Sequence, residues 1–255
     1  MDVTAGLWAV EGVGRWGTVA CMVPDRFAAY ARVFHPAYRL AQSSAEAGPE
    51  AGPEVRWGEV AEANGRVAHA AMEWASITGA YRYLWGHGQP GIWEEAPAMG
   101  TMPWRQLAAL VDTLSLHTLT PERCWFAIWE GFGDLPYLGS LRPVRLQLPH
   151  RDMILLSGPL AALPEVSFSE AWYRTAPALR SAYYRSPSLW WPEDHSWCVG
   201  TDVDLNSSFI GASAECVEAL SDDHRLEIML VSATQTITID TDTINPRPEG
   251  SPDDT

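Results

Sequence analysis

The run Cys124-Trp125-Phe126-Ala127-Ile128-Trp129 is the feature that most restricts how this chain can fold. Six consecutive apolar residues read as a central strand buried on both faces, and such a strand needs cover on each side of its sheet. Other segments read as its neighbours. Residues 144–148 and 153–156 alternate cleanly, and Pro149-His150-Arg151-Asp152 between them reads as a hairpin connection. Residues 197–199, 226–232 and 236–240 are strand-like, as are 7–10 and 18–23. Helical spacing marks residues 104–117, where Leu107, Leu110, Val111 and Leu114 form the stripe, and residues 57–64, closed by Gly65. It also marks residues 26–34, through Phe27, Tyr30, Ala31 and Phe34, with His35-Pro36 ending the helix; Arg32, His35 and Arg39 either face a pocket or, as the favoured reading, lie on a solvated face. A further helix is expected over roughly 212–220.

Clustered strands without regular βαβ alternation predict an α+β fold, a mainly antiparallel sheet with three or four packing helices; doubly wound α/β is the alternative. One globular domain is expected over residues 1–246, with a flexible low-complexity loop at 42–54 (QSSAEAGPEAGPE) and a disordered acidic tail at 247–255.

Composition excludes several functions. The chain contains no lysine, and all 17 basic residues are arginine, so Schiff-base, pyridoxal-phosphate, P-loop and kinase lysines are ruled out. A net charge of −15 repels phosphate backbones, against which Arg142, Arg145 and Arg151 form only a loose cluster, so no nucleic-acid partner is expected. No run approaches about 18 apolar residues and the first residues are acidic rather than basic, so no membrane partner is expected and the predicted location is cytoplasmic. Cys21, Cys124, Cys198 and Cys216 form no Cys-x-x-Cys pair and are expected as buried reduced thiols, although spacing alone leaves a disulfide open.

Gly12-Val13-Gly14-Arg15-Trp16-Gly17 matches G-x-G-x-x-G formally, but a dinucleotide site needs a helix directly after the glycines. A β-rich segment ending at Pro24 follows instead, so a glycine-rich hairpin is the expectation.

The richest stretch in chemistry is 186–219, SPSLWWPEDHSWCVGTDVDLNSSFIGASAECVEA. In a strand, Asp202 and Asp204 share a face about 7 Å apart and can hold a divalent cation, with His195 returning to the same end as a base. The competing reading is that these carboxylates, with Asn206, Ser207 and Ser208, cap backbone N–H groups. The calcium loop fails here, because Ser207 stands at its glycine position and Ser213 at its glutamate position. The Asp-x-Asp of haloacid dehalogenase-like phosphatases fails because Asn206 replaces Thr or Val. The second candidate region is the Gly- and Pro-rich stretch 86–103, which carries His87, Trp93, Glu94 and Glu95. With 13 tryptophans, rings such as Trp93, Trp190 and Trp191 either fill the core or, with His87, line a ligand pocket.

Four segments together, VPDRFAAYARVFHPAYR at 23–39, TPERCWFAIWEGFG at 120–133, WWPEDHSWCVGTDVDLNSSFIGAS at 190–213 and DTDTINP at 240–246, resemble an uncharacterised family of high-GC actinobacterial proteins with no assigned activity. The resemblance implies a shared fold and a bacterial cytoplasmic origin, and no mechanism. The functional expectation is therefore a non-enzymatic binding or interaction module for a protein or small-molecule ligand, without a cofactor. The alternatives are a hydrolase-like enzyme dependent on a divalent cation at Asp202 and Asp204, or a structural subunit of a larger assembly.

Overall fold

A computed structural model describes residues 3–14, 16–39, 52–84, 88–132, 135, 144–149, 151–165 and 184–248. Its frame is one antiparallel sheet. In chain order the strands are β1 (Ala29–Phe34), β2 (Ala37–Tyr38), β3 (Glu54–Val55), β4 (Cys124–Trp129), β5 (Val144–Gln147), β6 (Asp152–Gly158), β7 (Leu189–Pro192), β8 (Cys198–Gly200), β9 (Ser207–Ala212) and β10 (Ile228–Val231). Eight of them run β10-β1-β9-β8-β7-β4-β6-β5, and β2 and β3 form a separate pair. The helices are α1 (Leu7–Gly12), α2 (Trp57–Ala63), α3 (Trp74–Thr78), α4 (Trp104–Leu114) and α5 (Ala214–Ser221). The fold is α+β with a mainly antiparallel sheet.

Alternation divides each strand between two layers. Cys124, Phe126 and Ile128 of β4, Trp190 of β7, Val199 of β8 and Ile210 of β9 pack against α4 and α5. Ala127, Leu189, Trp191, Cys198 and Phe209 face the other way, onto Ala9 of α1 and the turn Val19–Cys21. β4 therefore needs apolar side chains on both faces, which accounts for its uninterrupted run. A third cluster, around Phe34, Trp57, Trp74 and Trp93, joins the end of β1 to α2 and α3.

Several elements differ from the sequence expectation. Residues 29–34 form a strand rather than a helix, because β1 lies between β9 and β10 and is hydrogen-bonded to both. Its helical spacing was incidental: Ala31 and Val33 share one face, as a period of two requires. Arg32 and His35 are buried, not solvated. Residues 7–10 belong to α1, and residues 18–23 hold the 3-10 turn Val19–Cys21 instead of a strand. The glycines of the formal dinucleotide motif serve close packing: a Cβ on Gly12 would come within 2.6 Å of Pro24, and one on Gly14 within 2.8 Å of Ala20.

Residues 236–240 form no strand: they make one isolated bridge, Thr18 to Thr236, and Ile237 N–H donates to the Gly17 carbonyl at 2.9 Å. Glu54, inside the expected loop, pairs with Tyr38; residues 42–51 lie outside the described residues. Arg247, at the start of the expected tail, is anchored through its Nε to the Tyr81 hydroxyl at 3.0 Å and through its Nη1 to Asp240 at 2.8 Å, and residues 249–255 lie outside the described set.

Candidate functional site

The β8–β9 connection, residues 201–206, is a turn and not a continuation of β8. Asp202 shapes it. Its Oδ1 accepts from the Asp204 backbone N–H at 3.0 Å and its carbonyl accepts from Leu205 N–H at 3.1 Å. The loop at 98–102 closes over this turn: Gly100 donates to the Leu205 carbonyl at 2.9 Å. Gly100 has φ +74°, and a Cβ there would lie 2.7 Å from the Val203 carbonyl oxygen, so only glycine combines that conformation with that approach.

Both carboxylates converge on Arg151, immediately before β6. The Arg151 Nε donates to Asp202 Oδ2 at 2.9 Å and Nη2 to Asp202 Oδ1 at 2.8 Å, a bidentate pair; Nη2 also reaches Asp204 Oδ2 at 3.0 Å. The guanidinium lies over the Trp129 ring, 5.0 Å from its centroid. Burial works against the Arg151 charge, but the bonds to Asp202 and then Asp204 leave its pKa above the ordinary arginine value. Among the described residues Nη1 has no partner. Beside this cluster lies a small open cleft of about 40 Å³, walled by Val13, Met22, Leu148, Met153 and Leu189, with the exposed Trp16 also lining it and Arg151 and Asp202 as its charged residues.

A second polar group is fully enclosed. His35 Nδ1 lies 2.7 Å from the Ala98 carbonyl, His35 Nε2 2.9 Å from Ser208 Oγ, and Ser208 Oγ 2.6 Å from Thr201 Oγ1. A carbonyl can only accept, so Nδ1 carries the proton and Nε2 accepts from Ser208. Burial lowers the His35 pKa to about 4, with the neighbouring Arg32 charge acting in the same direction. Arg32 is itself held by Ser207 Oγ at 2.9 Å, the Met72 carbonyl at 3.0 Å and Glu73 at 3.2 Å.

The residues singled out from sequence do not assemble as expected. His195 is in the β7–β8 turn, at the opposite end of β8 from Asp202 and Asp204, so it cannot act as their base. It adopts φ +54° and stacks on Trp8 with 4.3 Å between ring centroids. Its pKa is lowered by burial and by Arg26, against the pull of Asp194 and Glu193. The metal reading of Asp202 and Asp204 meets an arginine where a cation would sit. Among the described residues no group of three or more His, Cys, Asp or Glu side chains is placed to hold a metal ion.

Trp93, Trp190 and Trp191 are core rings, each at most 1% exposed, and present no surface to a ligand. Trp190 packs edge-on against Trp197 at 5.3 Å and Trp93 against Trp74 at 5.0 Å, because rings of this size bury most area inside the fold. His87 lies outside the described residues. Sequence reading missed the roles of Arg151, His35 and Ser208. Arg151 stood only in a loose basic cluster, and nothing local to it points to partners 51 and 53 residues away.

Among the described residues no helix is long and apolar enough to cross a membrane. Comparison with protein-family models, with curated proteins and with solved structures finds no match to this chain.

Proposed function

We propose that this protein is a non-enzymatic binding module whose cleft beside Arg151 takes a small ligand by an apolar part. The observation that carries the reading is the apolar wall of Val13, Met22, Leu148, Met153 and Leu189 with a single charged pair set into it. That pair is mutually satisfied, so it offers orientation and a hydrogen bond rather than a free acid or base. The divalent-cation enzyme is the weaker reading, since Arg151 already engages both oxygens of Asp202 and one of Asp204. A cytoplasmic setting is part of the proposal and draws support from four free, buried thiols.

The test is a thermal melt against small apolar ligands, on wild type and on Leu148→Arg, which puts a charged side chain into the wall. A ligand at about ten times its dissociation constant stabilises by roughly 1.4 kcal/mol. Saturable stabilisation of wild type that Leu148→Arg lacks is the expected result. Stabilisation by none of the ligands, or equally in both proteins, would overturn the reading.

A further inference from the structure

We infer that the cleft selects uncharged ligands carrying a hydrogen-bond acceptor, such as a carboxamide or ketone carbonyl, over carboxylates and amines with the same apolar body; the inference rests on the binding reading above. An arginine in an apolar cleft ordinarily suggests a carboxylate ligand. Here that role is already filled from within the chain. Nε and both N–H groups of Nη2 are committed to Asp202 and Asp204, leaving the two N–H groups of Nη1. Nη1 can only donate, so the ligand must accept.

Charge then decides which acceptor. One guanidinium and two carboxylates leave the cluster with a net negative charge. The chain as a whole carries −15. A carboxylate ligand meets Asp202 and Asp204 across the guanidinium, and Asp202, whose side chain is 9% exposed, is the less screened of the two. A cationic ligand meets a donor it cannot satisfy. A neutral carbonyl accepts from Nη1 and adds no charge, while its hydrocarbon covers Met153 and Leu189. Asp204 is the adjustable part: its side chain is 79% exposed, so changing it alters the local charge without opening the core.

Ligand-observed NMR titration of the full chain with cyclohexanecarboxamide, cyclohexanecarboxylate, cyclohexylmethylammonium and methylcyclohexane tests this. The carboxamide is expected to bind about tenfold more tightly than the carboxylate or the ammonium ion. In Asp204→Asn the carboxylate is expected to gain several-fold while the carboxamide stays within twofold. In Arg151→Met/Asp202→Asn, which removes the buried pair together, the carboxamide is expected to bind no better than methylcyclohexane. Binding of the carboxylate as tight as that of the carboxamide in wild type would overturn the selectivity while leaving the binding module intact. The same holds for an unchanged ratio in Asp204→Asn. Failure of all four probes, methylcyclohexane included, would remove the binding reading itself and the selectivity with it.

Discussion

His35 shows how one residue can carry a pH dependence without touching solvent. Its neutral tautomer is dictated by the Ala98 carbonyl, and its second nitrogen is closed by Ser208. A proton added to Nε2 would face the Ser208 hydroxyl, which would have to turn its own proton toward Thr201, and would place a second charge near Arg32. The unfolded chain binds that proton near the ordinary histidine value of about 6.5, whereas the folded chain resists it down to about 4. The unfolded state therefore gains protons first as pH falls, and stability is lost between those two values and is fully present above the upper one. Comparing urea unfolding of wild type and His35→Gln at pH 7 and pH 5, we expect wild type to lose about 2 kcal/mol more than the variant over that interval. Equal losses would mean that the imidazole titrates as it does in water. Arg32 shares this logic. It is buried because ring faces of Phe34, Trp57 and Phe209, the Glu73 carboxylate, the Ser207 hydroxyl and the Ala70 and Met72 carbonyls replace its water.

Among the elements, α5 has the plainest local control. Ser213 takes an extended conformation before it and its Oγ accepts from Cys216 N–H, while Cys216, Val217 and Leu220 turn inward. Ser213→Ala is expected to cost about 1 kcal/mol in chemical denaturation, with Ser213→Asp restoring most of it. No change on Ser213→Ala would show that the contacts of Cys216, Val217 and Leu220 alone set where the helix starts. Sequence pattern located α5 to within two residues and α4 almost residue for residue, because a stripe of Leu and Val repeating at helical spacing has no competing use. It misplaced β1. Phe27, Tyr30, Ala31 and Phe34 fit a helix, but β9 and β10 offer this segment two ladders of hydrogen bonds at once. The Asp202–Asp204 segment fell between its two expected readings. The Asp202 carboxylate does cap a backbone N–H, that of Asp204, yet a strand and not a helix follows.

At the scale of the molecule, the sheet separates two apolar layers, and the cysteines are distributed between them. Cys124 and Cys216 sit in the layer with α4 and α5, and Cys21 and Cys198 in the opposite one. Burial pushes the Cys124 and Cys216 thiols up to about 12 and moves Cys21 and Cys198 in the same direction. Thiolate is the reactive form, so all four are expected to be inert to a disulfide reagent in the native protein and to react stoichiometrically in denaturant. Rapid reaction of any one at neutral pH would show that its layer opens locally.

The sequence by itself determined the central strand, three of the helices (α2, α4 and α5), the α+β class and the lack of any lysine. Each of these depends on residue type or on spacing within one segment. Only the tertiary structure decided what the polar residues do. Arg151 reaches Asp202 and Asp204 from the β5–β6 connection, and His35 meets Ser208 across 173 residues of chain. His195, though only seven positions from Asp202, is kept from it by the length of β8. A hydrogen bond or an ion pair is a relation between positions in space, and for residues far apart in sequence that relation exists only once the sheet has set its register.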